Sequence, residues 1–360
     1  MNLFSVFTHD TGASPSRIPI LVLTGYLGSG KTTLLNRLLN EPDLSKTAVL
    51  INEFGEIGLD HDLVSHQQEQ MTLLSNGCLC CTIRGDLKAA LRALAQGEPG
   101  RIEQVVLETT GLADPAPILH TLMADPEVLA RFRLAAVVTV VDAFNAERTL
   151  ARQAESVKQV AVADVLMLSK TDLVEADCLR RLTARLRDIN PMAELLDAQQ
   201  HALSSLLPRF QQARTDASSF DEQGYKRFAF IGGAPSATSA QAESDAAHTD
   251  GIHTFSITRD DPLHEQGFFT WLDMLASMRG DDLLRVKGIV HIRESPDRPL
   301  VIHGVQHLFH PPRWLETWPS EDRRSRLVFI TRNVDSEAVE TMLDMYQRRR
   351  RTGRGLPQER

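Results

Sequence analysis

Short apolar runs recur along the first half of the chain and are separated by segments with helical periodicity. The runs are rich in Val, Ile and Leu with little polar alternation, which is typical of strands buried on both faces of a parallel sheet. They span residues 18–24, 47–51, 104–107, 134–141 and 162–168. Amphipathic segments, which predict helices, lie between several of the runs at residues 32–39, 86–95, 116–123 and 176–188. Strands that alternate with helices predict an α/β domain with a doubly wound, mainly parallel sheet.

This alternation ends near Gln212, and a segment rich in Ala, Ser and Gly follows without an apolar period. Such a composition is typical of a flexible linker. Beyond it, apolar runs and two amphipathic segments predict a smaller α+β domain. Its strands are predicted at 253–257, 288–292, 300–303 and 327–331, and its helices at 268–278 and 336–347. We therefore predict a flexible N-terminus at 1–17, an α/β domain at 18–215, a linker at 216–251, an α+β domain at 252–347 and a basic flexible tail at 348–360.

Composition and charge narrow the class of protein. Of the 360 residues, 42% are apolar and 24% are charged, and the formal net charge is −8. This acidic balance argues against a general nucleic-acid-binding surface. No apolar run approaches the roughly 18 residues of a membrane span, and residues 1–17 lack the basic start and apolar stretch of a secretory signal. We therefore predict a cytoplasmic protein, in which thiols stay reduced, with no membrane partner.

A glycine-rich loop follows the first apolar run and precedes a helical segment. Its pattern, Gly25-x4-Gly30-Lys31-Thr32, matches the phosphate-binding loop of nucleotide triphosphatases in the required strand–loop–helix context. The glycines let backbone N–H groups turn towards phosphate oxygens. Lys31 is predicted to neutralise the β and γ phosphates, and the Thr32 hydroxyl to bind Mg²⁺. The remaining predicted phosphate contacts are Gly28, Ser29 and Thr33.

A second motif, Ser169-Lys170-Thr171-Asp172, follows the last apolar run of the α/β domain. It occupies the place of the Asn-Lys-x-Asp sequence that reads guanine in GTPases, with Ser169 in place of the usual Asn. The Asp172 carboxylate could accept two N–H bonds from guanine, which adenine cannot offer, and the stem of Lys170 would pack along the base. The alternative is an ordinary helix cap at Asp172. We predict GTP as the nucleotide.

Carboxylates at two strand ends are candidates for magnesium and water. Glu108 ends the third apolar run, where an acidic residue commonly orients Mg²⁺, and Gly111 could present its N–H to the γ phosphate. Glu53 and Glu56 follow the second run and could reach Mg²⁺, attacking water or a transition metal. The alternative is a turn with solvated carboxylates. The predicted catalytic set is Lys31, Thr32, Glu53, Glu108 and Gly111.

The cluster Cys78-Leu79-Cys80-Cys81 contains three of the 4 cysteines of the chain. Thiolates are soft ligands that suit Zn²⁺ and related ions. Three sulfurs leave one position of a tetrahedral shell open for a carboxylate, an imidazole, water or a ligand from another protein, as a metal donor requires. Redox pairing and simple packing are the alternatives.

Together these motifs resemble the CobW-type GTPases, also called zinc-regulated GTPase metalloprotein activators. These are relatives of the GTPases that load nickel into urease and hydrogenase. The Cys-x-Cys-Cys segment beside a phosphate loop is a highly specific part of the resemblance. Matching segments run along nearly the whole chain, at residues 25–33, 52–58, 77–81, 84–87, 108–111, 169–172, 284–288, 303–306 and 325–328.

The resemblance implies a P-loop GTPase domain followed by a CobW-type C-terminal α+β domain, with GTP hydrolysis coupled to metal delivery. On the family pattern Cys78, Cys80 and Cys81 hold Zn²⁺, which passes to a client metalloprotein. Cobalt and nickel stay open as alternative metals, as do a monomer and a homo-oligomer. Two other functions also stay open. One is cobalt insertion during cobalamin synthesis, and the other is an RNA- or ribosome-associated switch that uses the basic residues 348–351.

Overall fold

A computed structural model of the protein divides the chain into two compact units. The structure describes residues 17–41, 44, 46–52, 71–73, 79–83, 86–96, 101–212, 251–310 and 312–348. The predicted flexible N-terminus, linker and basic tail fall almost entirely outside these residues. Within them, no helix is long and apolar enough to cross a bilayer.

The first unit is built on a sheet of eight strands among the described residues. In chain order the strands are β1 (Ile18–Thr24), β2 (Thr47–Asn52), β3 (Met71–Leu73), β4 (Leu79–Ile83), β5 (Gln104–Glu108), β6 (Phe132–Asp142), β7 (Val165–Ser169) and β8 (Glu194–Asp197). Their order in the sheet is β3-β4-β2-β5-β1-β6-β7-β8. Every neighbouring pair is parallel except β3 with β4, which agrees with the predicted mainly parallel sheet.

Helices lie between several of these strands along the chain, and one follows β8. They are α1 (Lys31–Leu39), α2 (Leu87–Ala95), α3 (Ala116–Ala124), α4 (Pro126–Arg131), α5 (Ala146–Arg152), α6 (Ala154–Ala161), α7 (Ala176–Ile189) and α8 (Leu207–Gln212). Consecutive residues of the central strand β1 from Ile20 to Leu23 are each at most 2% exposed. Because neighbouring residues of a strand point to opposite faces, both faces of the sheet are covered. The doubly wound arrangement is therefore confirmed.

The second unit is an antiparallel sheet packed against two helices. Its elements are β9 (Ile252–Arg259), α9 (Glu265–Arg279), β10 (Leu283–Val290), β11 (Leu300–Val305), β12 (Leu308–Phe309), β13 (Arg313–Trp314), β14 (Ser325–Arg332) and α10 (Ser336–Arg348). The strand order is β12-β11-β10-β14-β9, and β13 also pairs with β11. Phe268, Trp271 and Phe329 are fully buried at the centre of this unit, so the predicted α+β class is confirmed.

Two predicted strand boundaries are wrong for identifiable reasons. The run at 162–168 becomes a strand only from Val165, because the N–H of Val162 donates to the Lys158 carbonyl and completes the end of α6. The strand predicted at 288–292 begins earlier, at Leu283, and ends at Val290. Arg285 and Lys287 lie buried within it and interrupt the apolar pattern of the sequence.

We predict that Phe329→Ala lowers the free energy of unfolding of the second unit by about 3–5 kcal/mol. The ring of Phe329 stacks on Phe255 with 5.1 Å between centroids and meets the edge of Trp271 at 6.2 Å. All 3 tryptophans of the chain, at positions 271, 314 and 318, lie in this unit. Urea denaturation followed by tryptophan fluorescence therefore measures its stability.

Met278→Ala is the control for this substitution, because the Met278 side chain is 64% exposed. We expect it to change the free energy of unfolding by less than about 0.5 kcal/mol. Equal losses for the two variants would contradict the central position of Phe329 in the core.

Candidate functional site

The loop between β1 and α1 has a backbone conformation that requires glycine. Gly25 and Gly28 have φ values of 140° and 72°, in the left-handed region. A Cβ atom added to Gly25 would lie 2.3 Å from the carbonyl oxygen of Val140 in β6, whereas one added to Gly28 would meet nothing within 4 Å. The loop is thus packed closely on its inner side and open on the other. That shape leaves room for a phosphate chain beside the N-terminus of α1.

Lys31 begins α1 and turns its side chain back into this loop. It is 7% exposed, and its Nζ donates to the carbonyl oxygens of Gly25 at 2.8 Å and Tyr26 at 3.3 Å. Burial lowers the pKa of Lys31, and the nearby negative charge of Glu108 partly opposes this shift. An anion bound in the loop would favour the charged form of Lys31.

Thr32 and Glu108 bring two oxygen ligands together next to the loop. The Thr32 hydroxyl donates to Glu108 Oε1 at 3.2 Å, and Glu108 is buried at the end of β5. A hydroxyl and a carboxylate are the donor types that Mg²⁺ accepts beside nucleotide phosphates. The residues present therefore fit this cation. Thr33, also predicted to contact phosphate, is exposed on the next position of α1.

The segment after β5 contacts the end of β1 and the phosphate loop. Thr109 donates from its hydroxyl to that of Thr24 at 2.8 Å and from its N–H to the carbonyl of Leu23 at 2.9 Å. A Cβ atom added to Gly111 would lie 2.7 Å from the backbone nitrogen of Leu27. The structure thus brings Gly111 beside Leu27 of the phosphate loop.

Ser169 and Lys170 contact the phosphate loop from the other side. The Ser169 hydroxyl donates to the Ser29 carbonyl at 2.6 Å, and Lys170 Nζ donates to the Gly28 carbonyl at 2.9 Å. Lys170 also pairs with Asp142 at 2.7 Å. Asp172 is exposed and accepts a hydrogen bond from the side-chain amide of Gln199. The predicted guanine reader therefore stands at the same edge of the sheet as the phosphate loop.

Asp142 supports Lys170, a role that the sequence motifs did not indicate. Burial works against ionisation of this carboxyl, but hydrogen bonds from Asn145 and Lys170 outweigh it and hold the pKa of Asp142 below its ordinary value. Asp142 therefore carries a negative charge that fixes the Lys170 ammonium. The only signal in the sequence is its position at the end of an apolar run.

Cys80 and Cys81 of the cysteine cluster lie in strand β4. Cys80 and Cys81 pair in parallel register with Val49 and Leu50 of β2. Cys78, Glu53 and Glu56 lie outside the described residues, and so does any contact that they make. Among the side chains that the structure describes, no group of three metal-ligating residues converges, so the cysteine ligand set stays a prediction from the sequence.

A cleft of about 900 Å³ lies between the phosphate loop and the start of α2. Its lining includes Leu27, the segment from Thr110 to Asp114, and Asn52, Asp86 and Lys88. Asn52 ends β2, which pairs with β4, and Asp86 caps the N-terminus of α2 by accepting from the N–H of Lys88 at 2.9 Å. The cleft thus extends from the phosphate loop to the end of β2, the strand that pairs with β4.

Comparison with known proteins gives the same two-part division. Residues 19–197 match the family described as CobW/HypB/UreG, nucleotide-binding domain. Residues 252–347 match the cobalamin synthesis protein cobW C-terminal domain. The chain is 33% identical over 329 residues to the zinc chaperone YjiA of Escherichia coli, covering 89% of this chain and 96% of that protein. It is 34% identical over 201 residues to the zinc-regulated GTPase metalloprotein activator 1 of Schizosaccharomyces pombe, covering 54% and 48%.

Solved structures extend this similarity to the fold. The Zn(II)-bound YjiA GTPase from E. coli superposes with a TM-score of 0.70 at 29% identity, covering 92% of this chain and 99% of that chain. A Zn(II)-bound variant of that GTPase, with one glutamate and two cysteines replaced by alanine, superposes with a TM-score of 0.71 at 28% identity. The phosphate loop, the two-unit architecture and these matches together show that the chain belongs to the CobW/HypB/UreG family of nucleotide-binding proteins.

Proposed function

We propose that the protein is a GTP-hydrolysing zinc chaperone. In this proposal it binds Zn²⁺ through Cys78, Cys80 and Cys81 and transfers the ion to a client metalloprotein, while GTP binding and hydrolysis gate the transfer. The observation that carries the proposal is the cleft beside the phosphate loop. Its lining includes the segment that follows Glu108, the predicted magnesium ligand. It also includes Asn52 at the end of β2, the strand that pairs with β4.

The nucleotide half of the proposal rests on groups that meet at one edge of the sheet. Backbone N–H groups of the loop would hold the phosphates, and Lys31 would exchange its carbonyl partners for phosphate oxygens. Thr32 and Glu108 would hold Mg²⁺, which supplies charge neutralisation of the phosphates when bound. Asp172 would read guanine once the Gln199 amide releases it.

Hydrolysis of GTP needs a segment that senses the γ phosphate. Gly111 is the candidate because its backbone touches Leu27 of the phosphate loop. Its N–H would donate to the γ phosphate and lose that partner when phosphate leaves. The same segment lines the cleft, so its movement would change the surroundings of the neighbouring strands β2 and β4.

The metal half of the proposal treats Zn²⁺ as cargo. Three thiolates leave a coordination position that a ligand of the client can enter, and the ion can then pass by stepwise exchange of ligands. Gating requires that the affinity for zinc or for the client differs between the GTP and GDP states. We assign this exchange to the cytoplasm, where thiols stay reduced and competent to bind metal.

The named relatives favour zinc over other metals. The E. coli and S. pombe relatives are named for zinc, and so is the zinc chaperone CobW of Pseudomonas aeruginosa, which is 29% identical over 364 residues. Cobalt delivery for cobalamin synthesis is the second candidate, because the match of residues 252–347 is to a domain described for that pathway. Competition between Zn²⁺ and Co²⁺ for the purified protein separates the two candidates.

We predict that Asp172→Asn weakens binding of GTP by on the order of a hundredfold and improves binding of xanthosine triphosphate. A carboxylate accepts both N–H groups of guanine, whereas an amide presents a donor that matches the extra carbonyl of xanthine. Competition against a fluorescent GTP analogue measures both affinities. Gln199→Ala is the control, because it frees Asp172 without changing its carboxylate; equal effects of the two substitutions would refute the assignment of Asp172.

We predict that the triple substitution Cys78→Ser, Cys80→Ser and Cys81→Ser removes one tightly bound equivalent of Zn²⁺ and any effect of zinc on GTP turnover. Hydroxyl groups replace thiolates poorly as ligands for this ion. Zinc affinity is measured by competition with a chromophoric chelator, and turnover by phosphate release, with and without zinc.

Cys178→Ser is the matched control for this experiment, since Cys178 is a half-buried thiol on α7 and lies outside the cysteine cluster of the sequence. The zinc-bound variant of the E. coli GTPase indicates that zinc can be held on this fold after loss of two cysteines and a glutamate. The affinity and stoichiometry must therefore be measured, not the mere presence of zinc. Tight stoichiometric binding that survives the triple substitution would remove the cysteines from the proposal.

A further inference from the structure

Gln159 is a buried glutamine of α6 that holds the segment after β5. Its side chain is 1% exposed, and its Nε2 donates to the carbonyls of Gly111 at 3.3 Å and Ala113 at 3.1 Å. The preceding residue, Lys158, pairs with Asp114 of the same segment at 2.7 Å. Two consecutive residues of one helix therefore anchor the segment that the proposed mechanism requires to move.

The two carbonyl contacts fix which way the Gln159 amide faces. Carbonyl oxygens only accept hydrogen bonds, so the NH₂ group must face Gly111 and Ala113, and Oε1 must face away. Oε1 is buried and has no hydrogen-bond partner among the described residues. An unsatisfied buried carbonyl destabilises the fold by about 1–3 kcal/mol. We therefore expect a hydrogen-bond donor on the side of Gln159 that faces away from Gly111 and Ala113.

Ser29 of the phosphate loop lines the same small cavity as Gln159. It is 1% exposed, and its Oγ is likewise buried with no hydrogen-bond partner among the described residues. Ser29 and Gln159 line one cavity of about 30 Å³, to which Thr149 and Ser156 also contribute. A polar cavity larger than about 15 Å³ holds one water molecule when two to four polar atoms face it.

We propose that Gln159 is a positioning residue for GTP hydrolysis, linked to the phosphate loop by one ordered water between its Oε1 and Ser29 Oγ. The water would accept from the serine hydroxyl and donate to the amide oxygen. The Gln159 NH₂ group then fixes the carbonyl of Gly111. The water would thus connect the phosphate loop to Gly111 through Gln159. This connection adds to the direct contact between Gly111 and Leu27.

In this proposal Gly111 acts as a hinge between a fixed peptide and a mobile one. Gln159 holds the peptide that follows Gly111, while the peptide that precedes it stays free to turn its N–H towards the γ phosphate. Loss of the anchor would leave nucleotide bound but the segment misplaced, and small misplacements lower turnover strongly. This inference rests on the proposed GTPase function, because GTP turnover is its main readout.

The test compares the full-length protein with Gln159→Met, Ser29→Ala and the double variant. Methionine keeps the length of glutamine but removes its donors and acceptor. We expect Gln159→Met to lower kcat for GTP on the order of tenfold, with KM changed by less than about twofold. Because both residues act through one water, the double variant is expected to lose no more than the larger single loss.

Gln104→Met is the matched control. Gln104 is also a buried glutamine whose Nε2 donates to a neighbour, the Thr47 hydroxyl at 2.8 Å, and whose Oε1 has no partner among the described residues. It begins β5, at the opposite end of the strand from Glu108. Its substitution is expected to leave kcat within about twofold of wild type. Equal losses in the two methionine variants, or losses that multiply in the double variant, would overturn the proposal.

A second readout is independent of GTP turnover. Amide hydrogen exchange of residues 112–114, measured without nucleotide, is expected to rise in Gln159→Met and in Ser29→Ala but not in Gln104→Met. Unchanged exchange in the first two variants would overturn the link even if turnover falls. If the wild-type protein does not hydrolyse GTP, the proposed function fails, while hydrogen exchange still decides whether Ser29 and Gln159 act together.

Discussion

The arrangement of the candidate site depends on close contact between stretches of backbone that leave no room for a side chain. Gly25 lies against the Val140 carbonyl of β6, and Gly111 lies against the backbone of Leu27. Contacts between backbones cannot be relieved by rotation of a side chain. The position of the phosphate loop is therefore fixed relative to β6 on one side and to the segment after β5 on the other. A displacement of one of these segments would displace the others.

Charge is balanced locally around this contact. Lys31 and Lys170 both donate to carbonyls of the phosphate loop, and each has a carboxylate nearby, Glu108 for the first and Asp142 for the second. Lys31 is buried, and a buried cation without such a partner would destabilise the fold. In the proposed function the first carboxylate would bind Mg²⁺ and the second would hold the lysine beside the base. The groups that would serve chemistry thus also stabilise the loop.

Much of the first unit could be predicted from its sequence because its central strands are uninterrupted apolar runs and its phosphate loop has fixed spacing. The prediction failed where polar residues or cysteines interrupt the apolar runs. β10 was displaced because Arg285 and Lys287 lie within it, and β4 was not recognised because cysteines occupy it. Gln159 belongs to no motif. Its contacts depend on how α6 packs against the segment after β5, and no local pattern in a single sequence encodes that packing.

The position of β4 in the sheet has a consequence for how such chains diverge. Among the strands that the structure describes, β4 is followed towards the sheet edge by the three-residue strand β3, whereas β2 and β5 separate it from β1 and the phosphate loop. Substitutions near the margin of a sheet disturb fewer packed neighbours than substitutions at its centre. In the proposed function, the metal-binding cysteines of β4 therefore lie near one border of the sheet and the phosphate loop near its centre, so a substitution that changes the metal need not disturb nucleotide binding.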